Sequence, residues 1–452
     1  LNREWLKPPH TDRWSTALFC AIGAFAIGQA VQVANGNLHP DSIFWLTVAC
    51  VATFFGVVLP THAFIEWAGE RAVVLVLGLG VAYQFTQLLT ARPGIYLQTM
   101  SADFFVGLVV AALLVGAGLS DKPWLGRLHF PLLLLVFLWL GRWLLKASPA
   151  PFIDVFVFQR DGVKALLAGT NPYALRYPDI YGNSPFYGEG LSVGGVLQFG
   201  YPYLPLSLLL AVPGQMLGGD YRYAQLAAMA LSAIFIAYAR PGRVGFAAAS
   251  LLLFTPRVFF VLEQGWTDPF VLLGLSAVVF VAVRWVRPLP WVLGLALAVK
   301  QYTLFMVPAA WHLLPRPIDK RFVLKVVAIG AVVTVPFFLW GPKDFWHDVV
   351  ALQVLQPFRT DALSYLAWSA ARPGGTAWPT SLAFVAAIVG GGLGLWRQAR
   401  TPGGFAATCT LSYLGFFAFN KQAFCNYYYF TLGALLVVVA SVAPDEEPPV
   451  PS

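Results

Sequence analysis

Apolar stretches about 18–21 residues long recur along almost the whole chain, and each is long enough for a helix to cross a bilayer core. They fall near 15–35, 42–60, 70–90, 102–119 and 128–147, then near 222–239, 244–262, 268–286, 289–314, 322–341, 379–397, 403–419 and 427–443. Connections such as NGNLHPD and SDKPWLGRL leave no room for a soluble domain between them. Only 11% of the 452 residues are charged, against roughly a quarter in soluble domains. The fold class is therefore an all-α polytopic membrane protein with about 13–14 transmembrane helices. Leu204–Leu217 is apolar but short, and Pro205, Pro213 and Gly214 interrupt it. A re-entrant or interfacial helix is expected there. The four cysteines (Cys20, Cys50, Cys409, Cys425) are scattered and read as packed apolar thiols. No cleavable signal is read at the N-terminus, and the tail PDEEPPVPS (444–452) is expected to be disordered.

The net charge of +8 is mostly a topology signal. Placing Arg3, Lys7 and Arg13 in the cytoplasm and alternating sides puts Lys122 with Arg127, Arg240 with Arg243, Arg284 with Arg287, and Arg397 with Arg400 on that same side. Arg316, Lys320, Arg321 and Lys325 join them only if 289–314 crosses twice, as two short helices meeting near Lys300. A lysine at mid-bilayer depth is costly, whereas one at the tip of a hairpin meets water. No nucleic-acid partner is implied.

The same alternation gathers five polar clusters at the opposite, exoplasmic boundary: the loop from Asp154, the turn with Glu263, Gln264 and Asp268, the pair Lys300-Gln301, the segment 342–365, and 419–430. The loop 148–203 is the longest polar interruption in the chain. It opens on a helical pattern from Asp154 to about Leu167, stopped by Gly169 and turned by Asn171-Pro172. Asp154 and Asp161 are seven apart, so on a helix both carboxylates face one way. Carboxylates suit a general base or a metal, lysines suit a phosphate, and Tyr173, Tyr177, Tyr181, Phe186, Tyr187, Tyr201 and Tyr203 suit a carbohydrate or a lipid headgroup. Asp161 with Lys164 also reads as an ordinary helical ion pair, and Lys421 as a snorkelling surface residue.

These clusters, in this order, resemble the C-type (GT-C) glycosyltransferases, and among them the bacterial polyprenyl-phosphate-mannose-dependent type. IDVFVFQRDGVKALLAGTNPY is similar to the family's first exoplasmic loop and YPYLP (201–205) to its YPPL; EQGWTD resembles the second exoplasmic turn, LGLALAVKQY the lysine hairpin, and KQAFCNYY the late exoplasmic motif. The resemblance covers roughly residues 128–443. It implies a GT-C-like bundle whose exoplasmic loop carries amphipathic helices, preceded by transmembrane helices in 1–127 that the family does not explain. It departs from the family in having Val155 where a second acidic residue is expected.

The activity so implied is inverting transfer of a sugar, mannose or another hexose or pentose, from a polyprenyl-phosphate donor to a hydroxyl of a lipid or glycan acceptor, for the cell envelope. Asp154 is the expected base, with Asp161 as the alternative. Lys300, Gln301, Lys421 and Arg160 are expected at the donor phosphate. Tyr173, Tyr201, Glu263, Gln264, Asp268, Gln422, Asn426 and Tyr427 are expected around sugar and acceptor. No cofactor is called for, and a divalent metal stays open. The expected setting is a bacterial plasma membrane, with membrane lipids around the helices. Lys300→Met is expected to disturb packing little, because the ammonium is read as waiting for the donor's phosphate. A lipid-linked-sugar flippase or other transporter, and a non-catalytic subunit of an envelope complex, remain as alternatives.

Overall fold

The computed structural model describes residues 14–59, 63–120, 128–182, 186–315 and 317–441. Arg3, Lys7, Arg13, Lys122, Arg127, Arg316 and the tail 444–452 lie outside them. The described chain is all-α apart from one two-residue hairpin, Ser192–Val193 with Val196–Leu197. Gly194 and Gly195 form its turn at φ 59° and 78°, a conformation that favours glycine at both places.

Among the described residues seven helices are long and apolar enough to cross a membrane, fewer than the 13–14 expected: Trp14–Ala34, Pro40–Val57, Trp67–Thr90, Ala102–Leu119, His129–Ala147, Arg222–Ala239 and Lys320–Trp340. The single span expected over 244–262 is instead two helices, Arg243–Leu253 and Val258–Gln264, bent by 50°. Asp268–Arg284, Leu382–Arg397, Pro402–Ala418 and Cys425–Ser441 are shorter, at 16 or 17 residues. Pro205–Gly218, at 14 residues, has the reduced length expected of it. The stretch 289–314 does fold back on itself. Leu289–Leu297 leads up to Lys300, and the short helical turns Gln301–Phe305, Met306–Ala309 and Ala310–His312 lead away.

Lipid offers no hydrophobic drive for helix association, so close packing of small residues carries it. The first helix shows this: a Cβ on Gly56 would lie 2.8 Å from Phe19 Cβ, and one on Gly23 would lie 3.1 Å from Thr53 Oγ1. The first helix also packs along Cys425–Ser441, so the first and last described helices share one core.

The bundle has two chemically distinct ends. At one, arginines donate to carbonyls at or near helix C-termini: Arg397 to Val58 O (2.8 Å), Arg243 to Leu119 O (2.8 Å) and Arg240 to Ser441 O (2.9 Å). Cations are favoured there by the helix dipole. At the other end the loops bond to one another, as in Leu38 N–H to Asp361 O at 2.8 Å and Gln98 N–H to Ala147 O at 2.8 Å.

Lys320–Trp340 is the most weakly embedded span, with only Phe322 and Phe337 buried along it. It is seated by Gly294, where a Cβ would lie 2.1 Å from Ile329 Cγ2 and 2.4 Å from Val326 O. Gly294→Leu is therefore expected to unseat this helix and lower stability by roughly 1–3 kcal/mol or more, the cost of overpacking. Thermal unfolding in lipid nanodiscs checks this, and an unchanged midpoint would show that the contact does not hold the helix.

Candidate active site

One cavity of about 500 Å³ opens at the loop end of the bundle, a size usual for a small-molecule site. Its lining comes from stretches far apart in sequence, among them Asp154, Tyr187, Lys300, Arg359 and Asn426.

Asp154 is the first residue of the helix Asp154–Leu167, where a carboxylate is favoured by the exposed N–H groups and the dipole. The helix amphipathicity is set by Val155, Phe158 and Val163, which are buried under the loop. Val155 N–H donates to Asp154 Oδ1 at 2.7 Å, Tyr181 O–H to the same oxygen at 3.4 Å, and Tyr187 O–H to Oδ2 at 2.9 Å. The surrounding protein pushes the Asp154 carboxyl above its ordinary value, while these hydrogen bonds and the Arg359 charge pull it back. Both tyrosines are held protonated, first by burial and then by the neighbouring carboxylate, so they remain donors.

Lys300 also lines the cavity, but not as a free ammonium. Its Nζ donates to Asp268 Oδ1 and Oδ2 at 3.1 and 3.0 Å, and the residue is 5% exposed. Asp268 is fully buried and also accepts from Tyr302 O–H at 2.5 Å and Asn426 Nδ2 at 2.6 Å. The rings of Tyr203, Tyr302 and Tyr427 lie 5.1, 5.3 and 5.0 Å from the ammonium. The expectation that the hairpin delivers Lys300 to water is corrected here: an internal carboxylate already compensates it.

Of the other residues expected at the site, Gln264, Gln422, Asn426 and Tyr427 line the cavity. The remainder stand outside its lining, engaged elsewhere. Glu263 accepts from Ile95 N–H at 2.7 Å and Tyr96 N–H at 2.9 Å, which clamps the 91–100 loop. Gly94 is needed for that approach, since a Cβ there would lie 2.4 Å from Glu263 Oε1. Lys421 donates to Val354 O and Gln356 O at 3.0 and 2.6 Å. Gln301 ties Pro202 O (2.8 Å) to Val349 O (3.0 Å). Tyr173 and Tyr201 are buried, bonding Tyr203 O at 2.9 Å and Ser207 Oγ at 2.8 Å. Asp161 pairs with Arg160 at 2.7 Å, rather than with Lys164, on a half-exposed surface. Seven residues of helix also carry it about 10 Å along the axis from Asp154, so a shared face does not make a shared site.

Five contributors went unread in the sequence. Arg359 donates to Asp361 through Nε (2.8 Å) and Nη2 (2.6 Å), and its guanidinium lies 4.0 Å from the Phe186 ring and 5.0 Å from that of Phe424. It sits in a segment marked as polar, but nothing local distinguishes it from a surface arginine. Arg222 is fully buried, paired with Asp220 at 2.6 Å and donating to Glu263 O and Ser148 O at 2.9 Å each. Nothing local in the sequence marks it. Asn35, Asn37 and Tyr96, from the connections between the first helices, also reach the cavity. Among the described residues no group of three His, Cys, Asp or Glu is placed to hold a metal ion.

Comparison of the chain with protein-family models, with characterised proteins and with solved structures gives no match. The fold and the cavity thus define a helical, multi-pass membrane protein with a polar site at one end of its bundle.

Removing Lys300's charge leaves Asp268 buried and uncompensated. Lys300→Met is expected to lower stability by about 3–5 kcal/mol, and Lys300→Met with Asp268→Asn to recover most of it. Unfolding measurements on the two variants decide this; a single variant as stable as the wild type would mean the pair is not what holds the hairpin tip.

Proposed function

We propose that the protein is an inverting glycosyltransferase that moves a sugar from a polyprenyl phosphate to an acceptor hydroxyl. The observation that carries this reading is a tyrosine-oriented carboxylate, Asp154, sharing one cavity with two cations, Lys300 and Arg359, at the end of an apolar bundle.

The acceptor oxygen attacks the anomeric carbon from the face opposite the phosphate, and its proton passes to an Asp154 oxygen. The bond between the anomeric carbon and the phosphate oxygen breaks, and polyprenyl phosphate leaves with the electron pair. A carboxylate whose affinity for protons is raised suits the first task. Growing charge on the leaving oxygen needs a cation in a water-poor site. Of the two, Arg359 is the better placed to answer it: its partner Asp361 is 44% exposed and screened by solvent, whereas Asp268 is buried against Lys300. Lys300 then sets the field of the site and holds its floor. The cavity faces the exoplasmic side in this reading, because the arginine-rich end opposite it fits the cytoplasm.

Asp154→Asn keeps size and loses the proton acceptor. Transfer from a short-chain polyprenyl-phosphate mannose is expected to fall by ~10²-fold or more, with donor affinity retained. In the wild type kcat/KM should rise with pH through the Asp154 ionisation, with its midpoint above the ordinary aspartate value of about 3.9, and Asp154→Asn should erase that limb. Undiminished transfer by this variant would remove Asp154 as the base. For sidedness, single cysteines at Gly182 and Gly374 should react with an impermeant thiol reagent added outside intact cells, and one at Pro402 should not. The reverse pattern would put the cavity in the cytoplasm.

A further inference from the structure

The connections between the helices before residue 128 reach the cavity, and what they present there is of one chemical kind. Trp14–Ala34 ends in Asn35 at φ 56°, the one non-glycine residue with positive φ among those described. Gly36 N–H returns to Val31 O at 3.0 Å, so this is a helix-ending turn in which glycine is the unstrained choice at position 35. Asparagine tolerates the conformation and adds an amide that lines the cavity. Asn37, two residues on, lines it too and is pinned by its backbone bridge to Ala362. The turn has little freedom to drift, since a Cβ on Gly36 would lie 2.4 Å from Cys425 N. Tyr96 comes from the loop that Glu263 clamps, and Trp266 stands across the bend, edge-on to Phe260 at 5.4 Å. Among the described residues, the side-chain amides of Asn35 and Asn37 and the hydroxyl of Tyr96 bond no protein atom.

This wall is uncharged. The charged residues lining the cavity, Asp154, Lys300 and Arg359, all come from beyond residue 128. Amides and a phenol both donate and accept, as sugar hydroxyls do, and an indole offers a flat apolar face to a sugar's C–H surface. A phosphate or carboxylate calls for cations instead, and an acyl chain leaves the amides unsatisfied.

We propose that Asn35, Asn37, Tyr96 and Trp266 form a subsite for a neutral sugar, and that this sugar is the acceptor. Only the word acceptor rests on the transferase reading; neutral-sugar binding does not.

The test uses the full chain in nanodiscs, titrated with methyl α-mannopyranoside, methyl β-glucopyranoside and mannose 6-phosphate and followed by tryptophan fluorescence and calorimetry. At least one neutral glycoside should bind, and better than the phosphate. Asn37→Ala with Tyr96→Phe should weaken that binding about tenfold, as expected for lost hydrogen bonds, while affinity for a short-chain polyprenyl-phosphate mannose stays unchanged. Asn35→Gly relieves the backbone, so it should hold or raise thermal stability and still lose glycoside affinity. That combination separates binding from folding. Glycoside binding without sugar transfer in the wild type would remove the transferase reading and leave the subsite standing. The subsite is overturned if the variants bind glycoside as the wild type does, if neither glycoside binds, or if mannose 6-phosphate binds more tightly.

Discussion

The loop end of the molecule depends on one buried carboxylate. Asp268 begins a helix, and the three side chains it accepts from lie elsewhere: Lys300 at the tip of a hairpin, Tyr302 just beyond it, and Asn426 in the first turn of the last helix. Three parts of the chain are thereby brought to one depth. An ion pair so fully removed from water contributes little net stability against an apolar alternative, but losing either partner is costly. What it supplies is position. The Lys300 and Asn426 side chains face the cavity at one level, with Tyr203 and Tyr427 packed around the ammonium.

Around that hub, other charged groups act as fasteners for loops that have little regular structure of their own. Glu263 holds the 91–100 loop through two backbone N–H groups, Lys421 holds 354–356 through two carbonyls, and Arg222 joins the end of His129–Ala147 to the last turn of Val258–Gln264. Each satisfies backbone polar groups that are expensive to leave unmade near the membrane boundary. This explains why a polar residue at the right depth was a sound guide to the region and a poor guide to the role. The same charge serves to fasten a loop or to face a ligand, and only its partners distinguish the two.

Much of the architecture was legible from the chain alone. Seven helices reach the length that bilayer thickness demands, the grouping of Arg240, Arg243, Arg397 and Arg400 at one end follows from the basic-loop rule, and a fold-back at Lys300 was expected, although for contact with water rather than for the Asp268 carboxylate that meets it. The helix beginning at Asp154 and its stop at Gly169, which has φ 72°, were equally readable, because local propensity and turn chemistry decide them. The bend at 254–257 was missed although Pro256 marks it, because hydropathy averaged along a segment does not register a break.

Sequence by itself therefore determined the class of solvent, the order of the apolar stretches, and the boundary at which polar residues collect, but not how many of those stretches become full-length spans. These are one-dimensional properties of a chain that must satisfy its backbone within lipid. Tertiary structure alone decided which polar residues meet. Asp154 gained two tyrosine donors from 27 and 33 residues further on, Lys300 gained Asp268 from 32 residues before it, and Arg359 was placed between two aromatic rings from distant loops. Partners at such separations leave no local periodicity, and hydrogen-bond geometry is a property of three-dimensional packing, so no reading along the chain contains it.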